Sequence, residues 1–135
     1  ERLLLERRAP EPPPETVLLP GNNRWGKYTI SRCKTTANFY EKKDTISLNC
    51  GKMNPYISVR AWQSGDRLFL PGARGSRSLK RLFTDAGIKP GERDGVPVIC
   101  VDGRAAAVPG IGADRAFTQP GEEWTTLIMK DKKGE

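Results

Sequence analysis

Hydrophobic and polar residues alternate along much of the chain after Thr16, a pattern typical of half-buried β-strands. The segment "GKYTISRCK" shows it, and "DTISLNC" places Ile46, Leu48 and Cys50 on one face. In "YISVRAW" the inward positions are Ile57, Val59 and Ala61, and the opposite face carries Tyr56, Ser58, Arg60 and Trp62. These segments predict a largely β fold.

Two later segments complete the predicted sheet. "VPVICV" at 96–101 is a continuous apolar run bounded by turns, which predicts a fully buried strand. Asp102-Gly103 follows it and is a strong hairpin signal leading into "RAAAV". "WTTLIM" at 124–129 is the last predicted strand. Pro-Gly pairs recur between the segments, and we interpret them as turn markers.

One helix is predicted near 77–86, because apolar residues recur there at helical spacing at Leu79, Leu82, Phe83 and Ala86. Ser76 or Ser78 can cap its start, and Gly87 suits the position after its end. The other helix face would carry Arg77, Lys80 and Arg81. The predicted fold class is therefore α+β: a small, mostly β domain with antiparallel or mixed strands in a sandwich- or barrel-like sheet, and one main amphipathic helix.

Composition divides the chain into three parts. Residues 1–15 combine a short helix-like segment with a proline-rich spacer, residues 16–130 form the domain, and residues 131–135 are a charged tail that we expect to fray. The chain begins at Glu1, and we expect it to be part of a longer protein.

Positive charge is concentrated between positions 60 and 81, where six basic residues face the single acid Asp66. Such a segment is usually a solvated face, and a polyanion partner is the leading functional interpretation. Its centre, "LPGARGSRSLKRLF", has Gly72 and Gly75, which permit positive φ or close backbone approach before a helix start. A phosphate site and a plain strand-to-helix turn fit this loop equally well.

Several chemistries lack the residues they need. The chain has no histidine, which excludes His-based triads and His-ligated metals, and no acid forms a catalytic pair with a positioned base. Cys33, Cys50 and Cys100 have no CxxC spacing, so we expect thiols, a reducing and cytoplasmic location, and no metal site. No apolar run predicts a membrane span. Trp62 is retained as a weak base-contact candidate.

The run "VRAWQSGDRLFLPGARGSRSLKRLFTDAGIKPGERDGVPVICVDGRAAAVPGIGADRAF" resembles the C-terminal domain of bacterial tRNA(Ile)-lysidine synthetase, most densely over 58–117. The ordered motifs that carry the resemblance are Arg60, Gly65-Asp66-Arg67, Gly72 to Gly75, Ser78-Leu79-Lys80-Arg81-Leu82-Phe83, Arg93-Asp94, Pro97, Asp102-Gly103 and Val108-Pro109-Gly110.

The resemblance implies a module that grips the acceptor-stem side of an isoleucine tRNA with a CAU anticodon. A separate N-terminal domain would use ATP and Mg to attach lysine to the wobble cytidine. No catalytic residue and no cofactor is then expected in this chain. The expected RNA contacts are Arg60, Arg67, Arg74, Arg77, Lys80, Arg81 and Arg93, and the expected loop residues are Gly65, Asp66, Gly72, Gly75, Pro109 and Gly110.

Two other functions stay open. The domain could pack against the catalytic domain without touching RNA, which is a structural role. A small anion-binding enzyme that uses the Gly72–Gly75 loop is disfavoured by the missing acid–base groups. The sequence leaves the oligomeric state open, a homodimer included.

Overall fold

A computed structural model describes residues 13–35, 45–50, 55–119 and 124–131. Its strands are β1 (Thr16–Val17), β2 (Gly21–Trp25), β3 (Tyr28–Thr35), β4 (Thr45–Asn49), β5 (Ile57–Arg60), β6 (Arg67–Leu68), β7 (Arg77–Ser78), β8 (Val98–Val101), β9 (Arg104–Val108), β10 (Gly112–Ala113) and β11 (Trp124–Asp131). Helix α1 spans Leu79–Asp85, and 3-10 helices span Pro90–Gly95 and Arg115–Phe117. None of the helices in these segments is long and apolar enough to cross a membrane.

The strands form two main antiparallel sheets. The first sheet has the order β1-β5-β8-β9-β10 and the second has the order β2-β3-β11-β4, while β6 and β7 pair in a separate two-stranded ladder. The two sheets share one buried cluster, here called the inter-sheet core, to which both contribute apolar side chains. The predicted small α+β fold with a sandwich-like sheet is therefore confirmed.

A second cluster, the helix-side core, covers the other face of the first sheet. Its members are Leu68, Leu79, Leu82, Phe83, Val98, Cys100, Ala105 and Val108. Strand β8 serves both cores, since Ile99 and Val101 point into the inter-sheet core and Val98 and Cys100 into the helix-side core. Burial on both faces explains the continuous apolar run, and the predicted buried strand is confirmed.

A bulge in β9 adjusts that packing. Ile99 pairs with Ala107 and Cys100 pairs with Ala105, which leaves Ala106 as an extra residue on β9. Ala106 and Ala107 consequently both reach the inter-sheet core, while Ala105 reaches the helix-side core. The predicted hairpin before β9 is also confirmed, because Asp102 and Gly103 both have positive φ, as a type I′ turn requires.

Helix α1 begins two residues later than predicted. Ser78 is its N-cap, and the Ser78 side chain accepts a hydrogen bond from the Arg81 N–H. Arg77 lies in β7, paired with Leu68, so the prediction that Arg77 sits on the helix is wrong. The strand pairing takes precedence over helical periodicity at this position.

The end of α1 follows the expected pattern. Gly87 has φ 78°, and its N–H donates to the Thr84 carbonyl at 3.1 Å. The Ile88 N–H donates to the Phe83 carbonyl at 2.9 Å, and the Ile88 side chain packs on the helix-side core. This pair of bonds with an apolar contact is a Schellman motif, so the predicted glycine stop is confirmed.

Residues next to both predicted boundaries of the domain take part in its structure. The Pro14 carbonyl accepts the Trp25 indole N–H at 3.0 Å, and the Ser58 hydroxyl donates to the Glu15 carboxylate at 2.8 Å. These last spacer residues therefore contact the domain. At the other end β11 continues to Asp131, opposite Tyr28. Residues 1–12 of the predicted linker over 1–15, and residues 132–135 of the tail predicted to fray over 131–135, lie outside the described residues.

Candidate functional site

The basic segment forms a hairpin followed directly by α1. Strands β6 and β7 are joined by the loop 69–76, and Ser78 of β7 caps the helix. Five cationic side chains are exposed on this unit, which we call the hairpin–helix patch: Arg67, Arg74, Arg77, Lys80 and Arg81. No acidic residue occurs between positions 67 and 84. The patch is therefore a concentrated positive surface on a defined structural unit.

Arg60 and Asp66 form an ion pair at the base of the hairpin. The two guanidinium–carboxylate distances are 2.8 and 3.0 Å, and the side chains are 11% and 10% exposed. Asp66 also accepts the Gln63 N–H at 2.7 Å, and its carbonyl accepts the Leu79 N–H at 2.9 Å. The hydrogen bonds to Asp66 raise the pKa of Arg60. Arg60 thus holds Asp66, whose backbone carbonyl in turn bonds the helix start, and Arg60 lies outside the patch.

Arg93 is also internal. Arg93 is only 7% exposed, and its guanidinium donates to the Ile88 carbonyl and the Thr84 hydroxyl, each at 3.2 Å. The same group lies 5.6 Å from the centre of the Phe83 ring. Because these contacts occupy Arg93 at the end of α1, the structure does not bring it to the patch.

The patch residues differ in how firmly they are held. Arg67 donates to the Ser76 hydroxyl at 2.8 Å and to the Ser76 carbonyl at 2.9 Å. Arg81 pairs with Asp85 at 3.3 Å, an exposed contact worth less than about 1 kcal/mol. Within the described residues, no carboxylate lies in ion-pair range of the remaining three cations, Arg74, Arg77 and Lys80. The patch therefore keeps most of its positive charge.

Two backbone donors at the start of α1 are already bonded within the protein. The Leu79 N–H donates to the Asp66 carbonyl, and the Arg81 N–H donates to the Ser78 hydroxyl. These bonds occupy two of the N–H groups that the sequence interpretation assigned to a phosphate. The patch can attract an anion through its side-chain charge, without that contribution from the helix.

Gly72 and Gly75 differ in what they require. Gly72 has φ +83° in a turn closed by the Ala73 N–H and the Leu70 carbonyl at 3.1 Å. Gly75 has no positive φ, and a side chain added there would meet open space. Gly75 therefore does not use the positive φ that a glycine permits, and Gly72 is the constrained residue. Gly65 and Gly110 also have positive φ, and the predicted Pro109-Gly110 turn is closed by the Ile111 N–H and the Val108 carbonyl.

Gly72→Ala should lower the free energy of unfolding by about 1–2 kcal/mol, because alanine is strained at positive φ. Gly75→Ala is the matched control in the same loop. It should change the free energy of unfolding by no more than a few tenths of the loss expected for Gly72→Ala. Thermal melts of both variants measure the difference. Equal melting temperatures for the two would contradict the assignment.

Two exposed arginines outside the basic segment also border the hairpin. Arg115 lies 3.8 Å from the centre of the Phe69 ring, and its N–H donates to the Phe69 carbonyl at 2.7 Å. Arg104 lies over Phe117 and pairs with Asp114 at 3.3 Å. Sequence reasoning missed both because each arginine is isolated along the chain. The only local signal is the adjacent pair Asp114-Arg115, in which Asp114 caps the 3-10 helix that begins at Arg115.

Trp62 is half-buried and packs against other side chains. Its ring meets Phe83 edge-on, with ring centres 5.6 Å apart at 87°, and it packs against the helix-side core. Trp25 is buried as well, and the side chain of Trp124 lies outside the described residues. The structure gives Trp62 a packing contact that accounts for its position.

The cysteines and acids offer little reactive chemistry. Cys33, Cys50 and Cys100 are thiols, and burial raises the pKa of the Cys100 thiol to about 11, so it stays protonated near neutral pH. No group of three or more Cys, Asp or Glu residues is placed to hold a metal in the part of the chain that the structure describes. The chemistry that the candidate site offers is therefore binding of an anion through the positive charge of the hairpin–helix patch.

Comparisons with known proteins agree on one family. A family model described as the TilS substrate C-terminal domain matches residues 57–128. A tRNA(Ile)-lysidine synthase of Methylococcus capsulatus is 50% identical over 54 residues, which is 40% of this chain and 12% of that protein. The corresponding protein of Symbiobacterium thermophilum is 32% identical over 74 residues, 55% of this chain and 15% of that protein. The chain thus matches only a small part of these relatives' length.

A solved structure shares the fold. The crystal structure of a TILS C-terminal domain matches with a TM-score of 0.65 and 26% identity, covering 78% of this chain and 85% of that one.

Proposed function

Because the chain belongs to the TilS substrate C-terminal domain family, we propose that it is the tRNA-gripping part of a tRNA(Ile)-lysidine synthetase. In this proposal the hairpin–helix patch holds the acceptor-stem side of an isoleucine tRNA with a CAU anticodon. A separate N-terminal domain, using ATP and Mg in the cytoplasm, attaches lysine to the wobble cytidine. The chain then supplies binding and positioning to a ligase that processes tRNA.

One observation carries the proposal. Five exposed cations lie on one hairpin and the first turn of the helix that follows it, and the two acids that flank this segment in sequence, Asp66 and Asp85, are already paired with Arg60 and Arg81. RNA helices are recognised largely through phosphate and sugar contacts, which fix register and orientation. A surface of this kind needs no catalytic group. Of the seven RNA contacts expected from sequence, the proposal therefore keeps Arg67, Arg74, Arg77, Lys80 and Arg81.

Binding of isoleucine tRNA to the chain across a salt series tests the proposal. If all five cations contact phosphates, the logarithm of the affinity should fall with the logarithm of the salt concentration with a slope of roughly −4. An unrelated tRNA should show a similar slope, since phosphate contacts carry no sequence information directly. Absence of binding at low salt, or binding that does not depend on salt, would overturn the proposal.

A second candidate function is docking on the catalytic domain. Val17, Leu19 and Tyr56 are 39%, 61% and 51% exposed. The register of β1 and β5, continued by the hydrogen bond from the Leu18 N–H to the Ile57 carbonyl, places Leu19 opposite Tyr56 at the edge of the first sheet. This apolar edge suits contact with another domain. The salt series separates the two functions, because docking alone predicts no tRNA binding by the chain.

A further inference from the structure

Two arginines on the outer side of β6 are held in place by neighbouring groups. Arg67 is tied to Ser76 by two hydrogen bonds of 2.8 and 2.9 Å. Arg115 lies on the Phe69 ring at 3.8 Å, a stacking distance. Both residues are exposed, and within the described residues neither has a carboxylate in ion-pair range. Their guanidinium groups are oriented without being neutralised.

The two guanidinium groups flank the same short segment. Leu68 points into the helix-side core, so Arg67 and Phe69, its neighbours on either side, lie on the outer side of the strand. Their Cα atoms are at most about 7 Å apart in an extended chain. Because Arg115 stacks on Phe69, its guanidinium group lies on the same outer side of the strand as Arg67.

Asp114, which is buried, holds Phe69 and the segment of Arg115 together. Asp114 is 3% exposed. Its carboxylate accepts the Phe69 N–H at 3.0 Å and the Ala116 N–H at 2.9 Å. Its charge is paired with Arg104 at 3.3 Å. The segment that carries Arg115 is therefore fastened to the start of the hairpin loop, and the Asp114 carboxylate is buried and already paired.

We infer that Arg67 and Arg115 form a preorganised clamp for one phosphodiester group of an RNA backbone. A planar guanidinium presents N–H donors in a fixed fork that matches phosphate oxygens. Arg67 uses its Nε–H and one Nη2 N–H for Ser76, which leaves its Nη1 donors available. The inference rests on the proposed tRNA-binding function and adds a specific binding residue, Arg115, that the basic segment does not contain.

The test compares Arg115→Gln, Arg115→Lys and Phe69→Leu in tRNA binding across a salt series, with melting curves to confirm the fold. Arg115→Gln should lower the affinity about 10-fold, by analogy with other hydrogen bonds to charged groups, and reduce the salt slope by about 1. Arg115→Lys should lose most of the same affinity despite its charge, because lysine lacks the fork. Phe69→Leu should weaken binding several-fold with an unchanged salt slope, since it removes the ring on which Arg115 stacks but no charge.

Arg24→Gln is the matched control, an exposed arginine on β2 of the second sheet. It should leave affinity and slope unchanged. If wild type binds with a steep slope but the Arg115 and Phe69 variants bind equally well, the clamp is wrong while the proposed function stands. If wild type does not bind, both are wrong.

Inorganic phosphate, titrated at constant ionic strength, separates an RNA backbone from a free anion. Phosphate at millimolar concentration should displace tRNA only weakly, because it meets one clamp rather than the whole surface. Displacement by micromolar phosphate would mean that the clamp holds a small phosphate compound, which would overturn its assignment to RNA.

Discussion

Asp66→Ala is expected to lower the free energy of unfolding by about 3–5 kcal/mol, because it leaves the Arg60 guanidinium largely buried without its partner. The substitution also removes the acceptor of the Gln63 N–H, so three hydrogen bonds at the base of the hairpin are lost, two from Arg60 and one from Gln63. Denaturant unfolding of the purified chain, followed by circular dichroism, measures the loss. A destabilisation of this size comes from the unpaired charge more than from the bond itself.

Asp85→Ala is the matched control, since it also deletes an aspartate that pairs with an arginine. That pair, with Arg81, is exposed, and its loss should cost less than about 1 kcal/mol. A double-mutant cycle with Arg60→Met isolates the coupling within the buried pair. Equal destabilisation by Asp66→Ala and Asp85→Ala would show that burial of the Arg60 pair is unimportant.

Combined replacement of Arg74, Arg77 and Lys80 by glutamine should lower tRNA affinity by roughly three orders of magnitude. Each charge-assisted contact is worth about 1.5 kcal/mol or more, which is about a factor of ten per contact. The salt slope should fall by about 3 at the same time. These three residues have no ion-pair partner among the described residues, so stability should hardly change.

A triple variant of Arg24, Lys27 and Lys34 controls for net charge. It removes the same number of cations, all exposed and all in or beside β2 and β3 of the second sheet. Binding should stay close to that of wild type. If both triple variants lose affinity equally, the chain attracts RNA through its overall charge of +7 and the patch has no special role.

Features that depend on local sequence were predicted well. The apolar run of β8 needs only its own residues to indicate burial, and Asp102-Gly103 specifies its turn through the positive φ that both residues adopt. The stop at Gly87 is equally local. The bulge at Ala106 could not be foreseen, because three consecutive alanines carry no alternation from which a register could be inferred.

The site was harder to predict, because a sequence shows charges without showing their partners. Arg60 and Arg93 have the same side chain as Arg74, yet contacts with Asp66 in one case and with Ile88 and Thr84 in the other keep them internal. Arg115 is distant in sequence from the segment that it borders. Only the folded chain brings it beside Arg67.

The position of β11 has a consequence for folding during synthesis. This strand lies between β3 and β4 in the second sheet, pairing with β3 along Tyr28–Thr35 and with β4 along Thr45–Asn49. Among the described strands, β4 joins its sheet through β11 alone. Since β4 is made some 75 residues before β11, the edge of β4 that pairs with β11 lacks this partner strand until residues 124–131 have left the ribosome. The nascent domain therefore exposes Ile46 and Leu48 late in translation, when a chaperone would have the most to protect.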